Sequence, residues 1–210
     1  MPVSFLVTLF FTYNMKKLAL LLIITSVNCF AQQFIQKKDG TKINVLENSI
    51  HIEPGNKRIG YLIGDNKKKM HVSYKDLDFA IYGDFLFKTF LIGKKNIGFF
   101  VVAESNGKKL LTTKRTRIKS RGGFESTYTH YDVVVLDKSD LVIESLSFTD
   151  EKNNRNTADR SKVIPMIQSH FPECKQLIEK AILFESPPSD DKNATILVFL
   201  NDPKNIKCIE

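Results

Sequence analysis

From Phe34 to Phe148 the chain is interrupted again and again by turn-forming residues, and the runs between them have the composition of β-strands. Asp39-Gly40 follows Phe34 to Lys38 and marks a hairpin, because both central positions of such a turn can require positive φ. Pro54-Gly55-Asn56, Gly64 to Lys68, Asn106-Gly107, Ser120 to Gly123 and Lys138-Ser139-Asp140 repeat the signal. Strands are therefore expected at Phe34 to Lys38, Ile43 to Leu46, Ser49 to Glu53, Arg58 to Ile63 and Met70 to Tyr74. Further strands follow at Phe79 to Tyr82, Phe85 to Leu91, Gly98 to Glu104, Leu110 to Ile118, Tyr128 to Leu136 and Leu141 to Phe148. Alternation sets their faces: Met70, Val72 and Tyr74 line one side, His71, Ser73 and Lys75 the other. This pattern predicts a mainly β (α+β) fold, an antiparallel β-meander in a curled sheet or a partly closed barrel.

After the polar stretch Asp150 to Arg160, the apolar period lengthens to that of a helix. Val163, Ile164, Ile167 and Phe171, then Leu177, Ile178 and Ala181, recur at helical spacing, with Ser161 as the expected N-cap and Pro165 in the first turn. Pro172 is expected to split this segment into two short helices, with Cys174 at the start of the second. Ser189-Asp190-Asp191 suit the N-terminus of a last helix running to about Asn201, although Ala194 to Leu200 also fits a buried strand. The organisation expected is 1–31 as a signal peptide, 32–150 as the β domain, and 151–210 as a linker and C-terminal helical segment on the same domain.

The signal peptide is read from Lys16-Lys17, the apolar run Leu18 to Val27, and Ala31 ahead of Gln32. About ten apolar residues fall short of the roughly 20 that a spanning helix needs. Met15 is the expected translation start, and Asn28 makes Cys29 a poor lipidation site. Removal of Lys16 and Lys17 lowers the net charge from +8 to about +6. With 42% hydrophobic and 26% charged residues the chain has ordinary globular composition, and no transmembrane span is expected in the mature part. Export leaves Cys174 and Cys208, which an oxidising compartment is expected to join.

These features, in this order, resemble secreted flavobacterial (Bacteroidota) β-meander proteins of unknown function. The resemblance rests on Phe30-Ala31-Gln32, on Lys38 to Ile43 and Val72 to Leu77, and on Phe171-Pro172-Glu173-Cys174. It implies an envelope location and carries no activity with it.

Chemistry-bearing residues are few. Lys114, Arg115, Arg117, Lys119 and Arg121 form the densest basic stretch, and in a strand the last four share a side. Such a stripe suits phosphates or carboxylates of an anionic envelope component, such as lipopolysaccharide or acidic glycan; it equally suits a solvated edge strand that resists aggregation. Another envelope protein is the alternative partner, and nucleic acid is not expected. Lys67-Lys68-Lys69 reads as a solvated turn.

His130 and Asp132 share a strand face but lack the third ligand a zinc site needs, and His51, Glu53 and His71 share a face only if the strand register allows it. His170 precedes Cys174 by four residues with Pro172 between them. Asp76, Asp78, Asp190 and Asp191 read as turn or cap residues, and the aromatics of Phe79 to Phe100 as core. G-x-S-x-G and H-E-x-x-H are absent, so no catalytic residue, metal ligand or cofactor is nominated. The function expected is that of a non-catalytic binding or scaffolding module, with a hydrolase of envelope polymer or a carrier of an apolar ligand as alternatives.

Overall fold

A computed structural model describes residues 33–121, 123–150, 157–183 and 195–208. The signal-peptide reading, Cys29, most of the polar linker and the Ser189-Asp190-Asp191 cap lie outside these residues. Gln33 to Glu210 belong to one compact unit.

The meander is real but is built as two sheets. Eleven of the strands run β1 (Phe34–Lys37), β2 (Lys42–Asn44), β3 (His51–Glu53), β4 (Arg58–Ile63), β5 (Lys68–Ser73), β6 (Leu77–Tyr82), β7 (Phe85–Ile92), β8 (Lys95–Ser105), β9 (Lys108–Arg121), β10 (Phe124–Leu136) and β11 (Val142–Thr149). Strands β3, β4 and β5 form a small antiparallel sheet of their own. The remainder form a large sheet in the order β11-β10-β9-β8-β7-β6-β1-β2, in which β1 pairs with β6 across the excursion. The two ends of that order do not pair, so the sheet stays open and is not a barrel. Asn106 (φ 50°) and Gly107 (φ 71°) take the two left-handed positions of the β8–β9 turn, as their dipeptide predicts.

One expectation fails locally. Ser120 and Arg121 are strand residues, not loop, because β9 and β10 remain in register to Arg121 opposite Phe124. Strand β8 leaves β9 beyond Thr112, and β11 reaches β10 only as far as His130. Residues 116–121 and 123–129 therefore continue past the sheet as a two-stranded arm.

The helical segment comprises α1 (Thr157–Arg160), α2 (Val163–His170), α3 (Lys175–Leu183) and α4 (Thr195–Asn201). Pro172 separates α2 from α3 as expected, while the N-cap of α2 is Lys162 and not Ser161. An added turn, α1, occupies the chain ahead of it, so the helix opens one residue later than Ser161 would set. Val163, Met166, Ile167, Leu177, Ala181, Phe199 and Leu200 pack onto Tyr131, Val133, Val135, Leu146 and Phe148 in one core. A second core, with Ile35, Ala80 and Phe87, lies between the small sheet and the large one. The helical reading of the last apolar run holds, and after it Ile206–Lys207 form β12, parallel to β8.

That parallel strand was not expected. Strand β8 carries a bulge between Val101 and Ala103, and Asn205 donates its side-chain amide to Val101 O at 2.9 Å. The Asn205 backbone N–H bonds Asp84 O at 2.8 Å. Cys174 and Cys208 are joined by a disulfide, with Cα atoms 5.0 Å apart, and this ties the strand to the start of α3.

Candidate functional site

Alternation along β9, β10 and β11 sends Tyr131, Val133, Leu146 and Phe148 into the helix-covered core. The intervening residues Thr113, Arg115, Asp132, Val134, Ser145 and Ser147 face the other way and line a cavity of about 450 Å³. Ile92, Ile97 and Phe99 from β7 and β8 belong to the same cavity, as does Val142 of β11. One cavity lined from five successive strands requires a curled sheet. Its remaining wall is the 3-10 turn Pro54–Asn56 with Lys57, together with Tyr74. The volume falls within the roughly 300–1,000 Å³ of ordinary small-molecule sites.

Exposure separates floor from rim. Phe99 (3% exposed), Val134 (6%) and Tyr74 (4%) are floor, whereas Lys57, Lys95, Ser145, Ser147 and Val142 (45%) lie at the rim. The floor needs Gly98: a Cβ there would run into the rings of Phe87 and Tyr74. The Tyr74 backbone N–H bonds Lys57 O at 2.8 Å, and Lys57 N–H bonds Pro54 O at 3.3 Å, so the turn and the tyrosine are set together. The Tyr74 hydroxyl is buried without a hydrogen-bond partner among the described residues, and that burial pushes its pKa up.

Two carboxylates each gather three donors, Asp132 in the lining and Glu53 next to the lining residue Pro54. Asp132 accepts from Arg115 Nη2 at 2.6 Å, Ser147 Oγ at 2.6 Å and His130 Nε2 at 3.1 Å. Both Ser147 and His130 bond the same oxygen, Oδ1. The aspartate is thus the hub, and the imidazole is not interposed between serine and aspartate as in a nucleophile–base–orienter chain. Glu53, beside Pro54, accepts from Arg58 Nε at 2.6 Å, Asn56 Nδ2 at 2.9 Å and His51 Nε2 at 2.9 Å. The Asn56 and Arg58 bonds, with that of His51, hold its carboxyl down to about 2.

The register settles what the sequence left open for the histidines. His51, Gly60 and His71 stand in one row across β3, β4 and β5, and the His51 ring fills the space a Cβ at Gly60 would need. His170 bonds Glu144 at 2.8 Å, and Cys174 is held in the disulfide with Cys208. Among the described residues, no three His, Cys, Asp or Glu side chains gather as a metal site.

The basic stretch divides. Lys114 lies on the helix side, where its ammonium bonds the Asn201 carbonyl at 3.3 Å and side chain at 3.1 Å. A cation there complements the C-terminal end of α4. Arg115 belongs to the cavity, and Arg117 is exposed on the arm, opposite Tyr128. The side chains of Lys119 and Arg121 lie outside the described residues. Sequence reasoning missed Lys57, Tyr74, Lys95 and Val134 as cavity residues, since they are scattered over 78 positions and only the curl of the sheet brings them together. No helix among the described residues is long and apolar enough to cross a membrane. Set against family models, curated proteins and solved structures, the chain matches none.

Proposed function

We propose that this is an exported, non-catalytic binding module of the cell envelope, and that its site is the cavity on the open face of the curled sheet. The observation that carries the reading is the combination of an apolar floor, Phe99 and Val134, with a polar rim in a space of ligand size. Export is supported by the Lys16-Lys17 and Leu18 to Val27 leader and by the Cys174–Cys208 bridge, which suits an oxidising compartment. The Ser147–Asp132–His130 arrangement favours binding over hydrolysis, because the carboxylate and not the imidazole holds the serine hydroxyl.

Titration with the neutral apolar dye Nile red tests the cavity. One saturable site per chain is expected, weakened by Val142→Asp at the rim and blocked by Val134→Phe at the floor. Absence of saturable binding overturns the reading. Intact non-reduced mass of the protein from fractionated cells tests export: a species beginning at Gln32, two hydrogens lighter than its reduced form, is expected.

The exposed Arg117 on the protruding arm supports a second contact, with an anionic envelope polymer such as lipopolysaccharide or acidic glycan. Arg117→Glu is expected to weaken salt-sensitive binding to such a polymer without changing Nile red uptake.

A further inference from the structure

The charges around the cavity are not balanced. Among the described residues, Asp132 is the one acidic side chain of the lining, and it is already bonded by Arg115, His130 and Ser147. Arg115 offsets the charge of Asp132 through its Nη2, while its Nε is buried without a hydrogen-bond partner among the described residues. Lys57 and Lys95 also line the cavity, both exposed at the rim, and neither ammonium has an ion-pair partner among the described residues. The site therefore has an apolar floor, a wall on which the charges of Asp132 and Arg115 offset each other, and two positive charges at its mouth without an ion-pair partner among the described residues.

Resting on the cavity reading above, we propose that the ligand is a single-tailed amphiphile with an anionic head. The tail lies against Ile97, Phe99 and Val134, and the head stays at the mouth with Lys57 and Lys95. A neutral apolar molecule would leave both ammonium groups without gain. A fully polar anion would leave the apolar floor wet, which forfeits the gain from covering it. An amphiphile satisfies both ends, and its head keeps solvent contact, so no charge has to be buried. Lys57 belongs to the loop hydrogen-bonded to Tyr74, so the charge at the mouth is positioned by the same contact that sets the floor.

Displacement of Nile red by decanoate and by decanol, two probes with one tail length, tests this. Decanoate is expected to bind about tenfold more tightly than decanol at low salt, the gain of two exposed charge contacts. That preference is expected to shrink as salt rises, because rim charges are screened. The exposed double variant Lys57→Gln/Lys95→Gln is expected to bring the two ligands within about threefold, chiefly by weakening decanoate. Equal affinities in the native protein, or a preference for decanoate that survives the double variant, overturns the inference and leaves the cavity reading standing. Failure of both amphiphiles to displace a dye that does bind overturns it as well. Failure of the dye itself to bind is the separate result that removes the cavity reading.

Discussion

At the scale of single residues, the most informative positions are those where a polar atom is settled at a cost or with unusual care. Tyr74 buries a hydroxyl with no partner among the described residues, and an unpaired buried hydroxyl costs about 1–3 kcal/mol. Tyr74→Phe keeps the ring against Phe87 and removes that cost. Its stability in urea is expected to match the native protein or exceed it by up to about 2 kcal/mol; a loss larger than about 1 kcal/mol would mean that the hydroxyl is bonded. Glu53 is the opposite case, with three donors on one carboxylate. Its carboxyl titrates near 2 when folded against 4.5 ordinarily, so its contribution is complete above about pH 5 and is lost as pH falls from 4.5 toward 2. Urea midpoints measured between pH 6 and 2.5 are expected to fall less steeply in Glu53→Gln than in the native chain. Neither residue announced itself in the sequence. Tyr74 read only as the third member of a strand face, and Glu53 only as one of a group with His51 and His71 that depended on register, since its bonds to Asn56 and Arg58 cross a turn that one sequence does not fix.

At the scale of elements, legibility followed locality. Arg58–Ile63 was readable to the residue, because Pro54-Gly55-Asn56 and Gly64 bracket it with turn chemistry. The split of the helical segment at Pro172 was readable for the same reason, a missing N–H and a steric block within a few residues. What could not be read is the strand pairing fixed at long range: the separate sheet of β3, β4 and β5, the pairing of β1 with β6, and the parallel β12. The disulfide belongs to this scale. Closing the 34-residue separation between Cys174 and Cys208 is worth about 3–4 kcal/mol in the chain-entropy view. Replacing both cysteines by serine is expected to lower stability in urea by that amount and to speed amide exchange at Ile206 and Lys207, where the strand has only two residues of its own. An unchanged exchange rate would show that Asn205 alone holds the strand.

At the scale of the whole molecule, the large sheet is shared by all the packing in the described residues. Its helix-covered side holds one cluster and its junction with the small sheet another, while the cavity floor continues into a third, with Phe90, Val101 and Leu136. Strand β8 supplies Val102, Phe100 and Phe99 to these three in turn. Separate unfolding of the helical segment would strip Tyr131, Val133 and Leu146 of their cover, so the chain from Gln32 onward is expected to unfold in one transition. Far-ultraviolet dichroism and near-ultraviolet tyrosine signals should have coincident midpoints; midpoints that separate would show that the helices melt independently.

The pairing of Ile206 with Ala103 sets an order of events during biosynthesis. When β8 has emerged, the lane beside its bulge has no occupant, and about a hundred further residues must be made before Asn205 and Ile206 arrive to fill it. Such a distant pairing is slow to find, because the loop must close before the contact rewards it. Throughout that interval the exposed backbone beside Val101 is a place where a nascent chain can pair wrongly with its neighbour. Strand β12 acts as a latch that is thrown only once the chain has been made through Lys207, and oxidation of Cys174 with Cys208 fixes it once thrown.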